Sequence, residues 1–155
     1  MPVPPAPADP IDVFLDEAEP DVSATARAAR ALVRRLFPHA HERLIAGWRA
    51  VGYSHGAGGA APFALVAPVK DGVHVHLWNA ARIDDRDGLL RGEGTWTRHV
   101  RLTAPEDASA PGLARLVVVA AHIADPGTAA RPPRRARDGR AANPEPDASE
   151  DAGPW

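Results

Sequence analysis

The feature that most constrains the fold is a six-residue segment, residues 73–78, in which apolar and polar side chains alternate strictly. Its sequence is Val-His-Val-His-Leu-Trp, and it follows a Lys-Asp-Gly tripeptide at residues 70–72. The Asp-Gly pair favours a tight hairpin, and successive side chains of a strand point to opposite faces. The segment is therefore predicted to be a strand with Val73, Val75 and Leu77 on one face. A sheet with one apolar face needs a layer of helices packed against it.

Helical patterns lie on both sides of the strand region. Before it, apolar residues recur at three- to four-residue spacing up to Pro38: Val22, Ala26, Ala29, Val33 and Leu36. After it, a helix beginning near Pro111 has the same spacing: Leu113, Leu116, Val117, Ala120 and Ile123. The other predicted strands are residues 41–46, 49–54, 61–69 and 96–102. We expect a two-layer α+β domain, an antiparallel sheet of about five strands with N- and C-terminal helices on one face.

The composition divides the chain into three parts. Residues 1–10 are rich in proline and residues 126–155 contain almost no large apolar side chains, so we expect both segments to be disordered. Residues 11–125 are long enough to form one α+β domain. The C-terminal segment carries a basic block followed by an acidic block, and is expected to be a solvated tail or a short interaction arm. Its charged residues include Arg131, Arg134, Arg135, Arg137, Arg140, Glu145, Asp147, Glu150 and Asp151.

Charge and cysteine content exclude several classes of function. The net charge is −2, and the arginines are spread along the chain, so we expect no nucleic-acid partner. Cysteine is absent, which excludes thiolate catalysis and cysteine-bound metals and fits a reducing compartment. The N-terminus does not resemble a signal peptide, and no apolar run approaches the ~20 residues that span a bilayer. We therefore expect a cytoplasmic protein without a membrane partner.

One short motif raises the hypothesis of a hydrolase. Residues 52–56, Gly-Tyr-Ser-His-Gly, match the nucleophile elbow, in which a sharp strand-to-helix turn exposes a serine beside an oxyanion hole. In this chain the motif is followed by a glycine-rich run and then a predicted strand, without a helix. A hydrolase using Ser54 is therefore only a second alternative, and a glycine-rich hairpin connection explains the same residues.

Histidines and carboxylates offer weak metal-binding patterns. His74 and His76 share one face of a strand and supply two ligands, so His55 or His99 would have to complete a site. The HExxH motif fails near His41, because Ile45 stands where the second histidine is needed. An aspartate-rich turn at residues 84–87 lacks the EF-hand pattern, and Gly88, Gly92 and Gly94 fit no phosphate-binding fingerprint. We therefore expect no cofactor, with iron considered only under the alternative described next.

The segment Asp-Gly-Leu-Leu-Arg-Gly-Glu-Gly-Thr at residues 87–95, followed by Arg-His-Val-Arg-Leu at 98–102, resembles the YdhG-like domain family, a domain of unknown function. The resemblance covers roughly residues 13–123 and implies an antiparallel sheet covered by helices, distantly similar to frataxin. It also implies a frataxin-like iron chaperone as an alternative function. The candidate iron ligands would be a run of N-terminal carboxylates: Asp9, Asp12, Asp16, Glu17, Glu19 and Asp21.

The favoured function is a non-catalytic small-ligand or partner-binding module. With both helices on the face of Val73, the opposite face has no element left to cover it, so we expect Trp78 to be partly exposed there. The alternative is a Trp78 buried by the loop at residues 79–94. The partner is expected to be a small molecule, another protein or a second copy of the chain in a homodimer. The proposed binding face comprises His74, His76, Trp78, Trp96 and His99.

Overall fold

A computed structural model describes residues 1–56 and 61–124 and shows an α+β fold. Three helices and five strands follow one another along the chain, with three short 3-10 turns at residues 46–48, 80–82 and 105–109. The elements are α1 Pro10–Asp16, α2 Pro20–Leu36, β1 His41–Ile45, β2 Ala50–Ser54, β3 Ala64–Val69, β4 Gly72–Trp78, β5 Thr97–Leu102 and α3 Pro111–Ala124. The predicted fold class is therefore confirmed.

Each helix begins at a proline, which suits the first turn because its missing N–H has no partner there in any case. Asp9 caps α1, since its Oδ1 accepts the N–H of Ile11 at 3.0 Å. The apolar stripe predicted for α2 is buried as expected, with Val22, Ala26 and Val33 each at most 7% exposed. α3 also buries its apolar face, in spite of its run of β-branched residues.

The sheet is a simple meander in which neighbouring strands of the sequence pair antiparallel, in the order β1-β2-β3-β4-β5. The predicted hairpin joins β3 to β4, with Val69 opposite Gly72. Gly72 has no room for a side chain, because a Cβ atom there would lie 2.4 Å from the carbonyl oxygen of Leu102 on β5. The glycine therefore allows β5 to pair closely with the start of β4.

All three helices contribute to a single core on one face of the sheet. The strand residues in that core include Val51, Val66, Val75 and Val100, and the helices add Leu15, Leu32, Leu113 and Leu116. A second, smaller cluster on the opposite face contains Ala50, Leu65, Ala67 and Trp78. The alternation predicted for residues 73–78 is thus confirmed, and the opposite face, termed the outer face below, is packed as well.

The predicted division of the chain into three parts stays a prediction. Residues 1–8 are exposed and lie outside helices and strands, while Pro10 already belongs to α1. The predicted disordered tail, residues 126–155, lies outside the described residues. Within the described ranges no helix has the length and apolarity that crossing a membrane requires.

Candidate functional site

Strand β4 presents His74, His76 and Trp78 on the outer face, and β5 continues the surface. The register places these residues directly opposite Arg101, His99 and Thr97, respectively. On the other side, β3 contributes Ala67 opposite His74 and Leu65 opposite His76.

Three imidazole rings meet at the centre of this face and form what we call the histidine cluster: His74, His76 and His99. The rings of His74 and His99 are stacked, with centroids 4.0 Å apart and planes 19° apart. The ring of His76 lies 5.7 Å from that of His74 and 5.3 Å from that of His99. Three of the five predicted site residues are therefore brought together.

Arg101 fixes the protonation of one ring in this cluster. Its Nη1 lies 3.2 Å from Nε2 of His74. Because a guanidinium can only donate hydrogen bonds, Nε2 of His74 accepts, and the ring proton of the neutral form lies on Nδ1. The outer face therefore holds a permanent cation beside three imidazole rings.

Burial decides the charge of the third ring. The pKa of His76 is lowered well below its ordinary value, first because burial penalises the charged imidazolium and then because His99 and His74 would repel it. His76 is 6% exposed. At physiological pH His76 is therefore a neutral, buried polar group of the outer face.

The expectation that Trp78 is partly exposed is wrong, because the residue is 4% exposed. Its ring stacks on that of Trp48, with centroids 5.9 Å and planes 25° apart. Trp48 comes from the 3-10 turn between β1 and β2, which ends at Arg49 in the left-handed region, with φ 47°. The Trp48 ring, from the β1–β2 connection, therefore covers Trp78.

The indole N–H of Trp78 is a buried donor with no hydrogen-bond acceptor among the described residues. Leaving such a donor unpaired costs about 1–3 kcal/mol, so native structures seldom tolerate it without a reason. Trp78 therefore combines an apolar ring fixed by packing with an unused directional donor.

Trp96 stands apart from the rest of the predicted face. It precedes β5, is half-buried, and its carbonyl oxygen accepts the N–H of Ala80 at 3.2 Å. The ring contacts of the described residues join the three histidines and pair Trp78 with Trp48, and none of them includes Trp96.

Two residues of this face were missed by the sequence analysis. Arg101 could have been found, since it lies two residues beyond His99 on a predicted strand and therefore shares its face. Trp48 carried no such signal, because its position over Trp78 depends on how a turn folds across the sheet. Gly52 makes room for this packing: a Cβ atom there would lie 2.6 Å from Cδ1 of Ile45, which packs beside Trp48.

The strand residues of the outer face have one sign of charge. Arg43 lies two residues before Ile45 on β1, so both belong to this face together with Arg101. None of the residues that the five described strands direct to this face is Asp or Glu. The face is therefore basic at its rim, aromatic at one end and rich in histidine at its centre.

Three of the six N-terminal carboxylates proposed as iron ligands form ion pairs with arginines. Asp12 contacts Arg27 at 2.7 Å and Arg30 at 3.0 Å, and Asp9 contacts Arg30 at 2.9 Å. Asp16 forms an ion pair with Arg27 as well. An iron ion would have to displace these guanidinium groups, whose positive charges would repel it.

Arg30 is the centre of a buried network, the arginine network, formed by Asp9, Asp12, Arg30, Glu42 and Tyr53. Two nitrogens of Arg30 donate to the two carboxylate oxygens of Glu42, each at 2.9 Å, and the Tyr53 hydroxyl donates to Glu42 at 2.8 Å. The hydrogen bond to Glu42 raises the pKa of Arg30, although burial opposes it. Burial also raises the pKa of Tyr53, helped by the negative charge of Glu42. These groups therefore bind one another and join α1 and α2 to β1 and β2.

The nucleophile-elbow residues do not form a catalytic arrangement. The Ser54 hydroxyl donates to the carbonyl oxygen of Gly56 at 2.8 Å, and Nε2 of His55 donates to the carbonyl oxygen of Ala121 at 2.6 Å. Serine and histidine therefore serve separate backbone partners, whereas a hydrolase needs the base on the serine.

The other polar motifs also have structural roles. Asp85 accepts the N–H groups of Leu89 and Leu90, at 2.8 and 3.0 Å, and so holds the turn at residues 84–90. Among the residues described, no three histidine or carboxylate side chains are arranged to hold a metal ion.

Comparisons with protein-family models, with curated proteins and with solved structures each found no match. The YdhG-like resemblance therefore rests on its motif residues, which form the connection before β5 and most of β5 itself.

Proposed function

We propose that this domain is a non-catalytic binding module whose outer face receives an acidic peptide segment of a partner protein. The observation that carries the proposal is the indole N–H of Trp78, a buried donor without an acceptor among the described residues, on a sheet face whose strands carry no carboxylate. A peptide carbonyl or carboxylate would satisfy this donor once the packing over the buried indole opens.

The charge at the rim of the face favours an acidic ligand. Arg101 is exposed, and Arg43 and His99 are partly exposed, so these groups can meet a partner without a rearrangement of the core. Complementary charge raises the rate of association and suppresses wrong partners, even where each exposed pair adds little affinity. A peptide with several carboxylates would thus be selected over a neutral one.

The aromatic end of the face supplies the apolar contact that a peptide needs. Trp48 and Ile45 are partly exposed above the buried Trp78. Tryptophan beside arginine is a frequent composition of interface hot spots, because it offers a large apolar area with few rotatable bonds. This end would hold an apolar side chain of the ligand, while the arginines orient its acidic residues.

The remaining features of the chain fit a binding role inside the cell. Ser54 and His55 serve backbone partners, so neither is poised for catalysis. The absence of cysteine and the net charge of −2 suit a cytoplasmic protein that does not bind nucleic acid. The YdhG-like resemblance supports the same class of small domain.

NMR titration with a synthetic peptide tests the proposal. The probe alternates Glu with Ala around a central Trp, and the control peptide carries Gln in place of Glu. We expect the probe to shift the Trp78 indole N–H signal and the imidazole signals of the histidine cluster in a saturable way. The control peptide should bind at least about tenfold more weakly, and added salt should reduce the difference.

A pair of arginine variants locates the binding surface. Arg101→Gln should weaken binding of the probe about tenfold, whereas Arg35→Gln, which changes an exposed arginine on α2, should leave it unchanged. Equal binding of both variants, or shifts confined to the helical side, would contradict the proposal. If the Trp78 and histidine signals instead shift as the protein concentration rises without any peptide, the partner at this face is a second copy of the chain and not a peptide.

A further inference from the structure

We propose that the chain carries its own ligand for the outer face, namely the acidic block of its C-terminal segment, Glu145 to Asp151, together with Trp155. This inference rests on the proposed function, since it names an occupant for the same surface. It adds that the occupant is intramolecular, so an external acidic peptide must compete with it.

α3 ends close to the end of the sheet that carries Trp78. The carbonyl oxygen of Ala121, in the last turn of α3, bonds to His55 at 2.6 Å, and the His55 ring stacks on Phe63 at 4.9 Å. The carbonyl oxygen of Phe63 in turn accepts the N–H of Trp78 at 3.1 Å. The last described residue, Ala124, is therefore near the end of the sheet at which β4 ends with Trp78.

The segment is long enough to cross from the helical side to the outer face. The twenty residues 125–144 can extend to about 66 Å at ~3.3 Å per residue, whereas β4 spans only about 23 Å along its seven residues. A connection of this length gives its end an effective concentration on the order of millimolar at a surface of the same molecule. A weak contact is thus sufficient for occupancy.

The order of the charged residues makes the acidic block, and not the basic block before it, the part of the segment that suits the outer face. Its basic block, which begins at Arg131 and ends at Arg140, would be repelled by Arg43 and Arg101 on the outer face. The acidic block that follows is attracted to the same arginines. Trp155 provides the apolar side chain that the aromatic end of the face would hold. The acidic ligand and its aromatic residue are thus both present within one stretch of the chain.

The test uses the full chain and neutralises the acidic block in place. One variant carries Glu145→Gln, Asp147→Asn, Glu150→Gln and Asp151→Asn. The matched control neutralises four exposed carboxylates outside the segment: Glu17→Gln, Glu19→Gln, Asp21→Asn and Glu106→Gln. The tail variant should shift the Trp78 indole N–H signal and the imidazole signals of the histidine cluster, and should bind the acidic probe peptide about tenfold more tightly because its competitor is removed. The control should do neither.

The two measurements separate this inference from the proposed function. Unchanged Trp78 and histidine signals in the tail variant would overturn the intramolecular occupant, even if the probe peptide still binds. Failure of the probe to bind both the tail variant and the full chain would overturn the proposed function, whatever the tail signals show. Shifts that fade on dilution of the unmodified chain would also overturn the inference, because the acidic block would then reach the face of a second copy.

Discussion

The sheet separates two buried polar clusters that differ in how their charges are balanced. On the helical face, the arginine network surrounds the cation of Arg30 with three carboxylates and ties Glu42 to the Tyr53 hydroxyl. On the outer face, the histidine cluster gathers three bases beside Arg101, and the strands there carry no acid. The arginine network therefore joins the helices to the sheet, whereas the histidine cluster belongs to the face proposed for binding.

The largest expected effect follows from truncating the buried tryptophan ring on the outer face. Trp78→Ala removes a side chain that is 4% exposed and leaves Trp48 without its stacking partner. We expect a loss of about 3–5 kcal/mol in the free energy of unfolding, measured by urea denaturation. Trp96→Ala, at a half-buried ring outside the cluster, serves as the comparison and should cost clearly less. A loss below about 1 kcal/mol for Trp78→Ala would show that this ring is not part of the packing.

Disrupting the arginine network should lower the free energy of unfolding nearly as much. Arg30→Met leaves the Glu42 carboxylate, whose side chain is 17% exposed, without its bidentate partner. We expect about 3 kcal/mol of lost stability, because an uncompensated charge is then held away from water.

Two controls sharpen this second prediction. Arg35→Met, on the exposed side of α2, should change stability by less than about 0.5 kcal/mol. The double variant Arg30→Met with Glu42→Gln should recover most of the loss, since both charges are then absent and the amide oxygen can still accept from the Tyr53 hydroxyl. A double variant as unstable as Arg30→Met would mean that packing, and not the charge, explains the effect.

The two clusters should also respond to acid in different pH ranges. His76 has a lowered pKa, so the unfolded chain takes up its proton as pH falls below about 6.5 while the folded chain does not. The contribution of His76 to the free energy of unfolding is therefore fully present above about pH 6.5. Below that pH it decreases by up to about 1.4 kcal/mol per pH unit. Asp9 has a pKa lowered below 3.8, chiefly by the N–H of Ile11 and then by Arg30, so its contribution is lost only at much lower pH.

Urea denaturation at about pH 7.5, 6.5 and 5.5 measures this difference. The unmodified chain should lose about 1 kcal/mol between the last two values. His76→Leu should remove most of this loss, whereas His39→Gln, at an exposed histidine, should leave it unchanged. A His76→Leu variant with the same pH dependence would show that another group titrates in this window.

The sequence predicted those parts of the fold that depend on local periodicity. The strand at residues 73–78 has a two-residue period of apolar side chains, and the apolar residues of α2 recur every three to four positions. Both periods depend on the local sequence alone. The exposure of Trp78 was predicted wrongly, because its covering ring lies thirty residues earlier, in a turn that only the pairing of β1 with β2 brings into place. The role of Arg30 was missed for the same reason. Its partners Asp9 and Glu42 are 21 and 12 residues away and share no pattern with it.

The smallest expected effect concerns the segment that lies beyond α3. Residues 127–155 carry almost no large apolar side chains, so they cannot bury enough apolar surface to offset the entropy of ordering a chain of that length. Even an acidic block docked on the outer face would contribute only exposed ion pairs and one aromatic contact. Deleting residues 127–155 should therefore lower the melting temperature by less than about 5 °C, which corresponds to roughly 1 kcal/mol for a domain of this size. Calorimetry of the full and shortened chains checks this. A larger drop would place part of the core in that segment, and the outer face would then be a covered surface of the fold, not a binding surface held by a weak internal competitor.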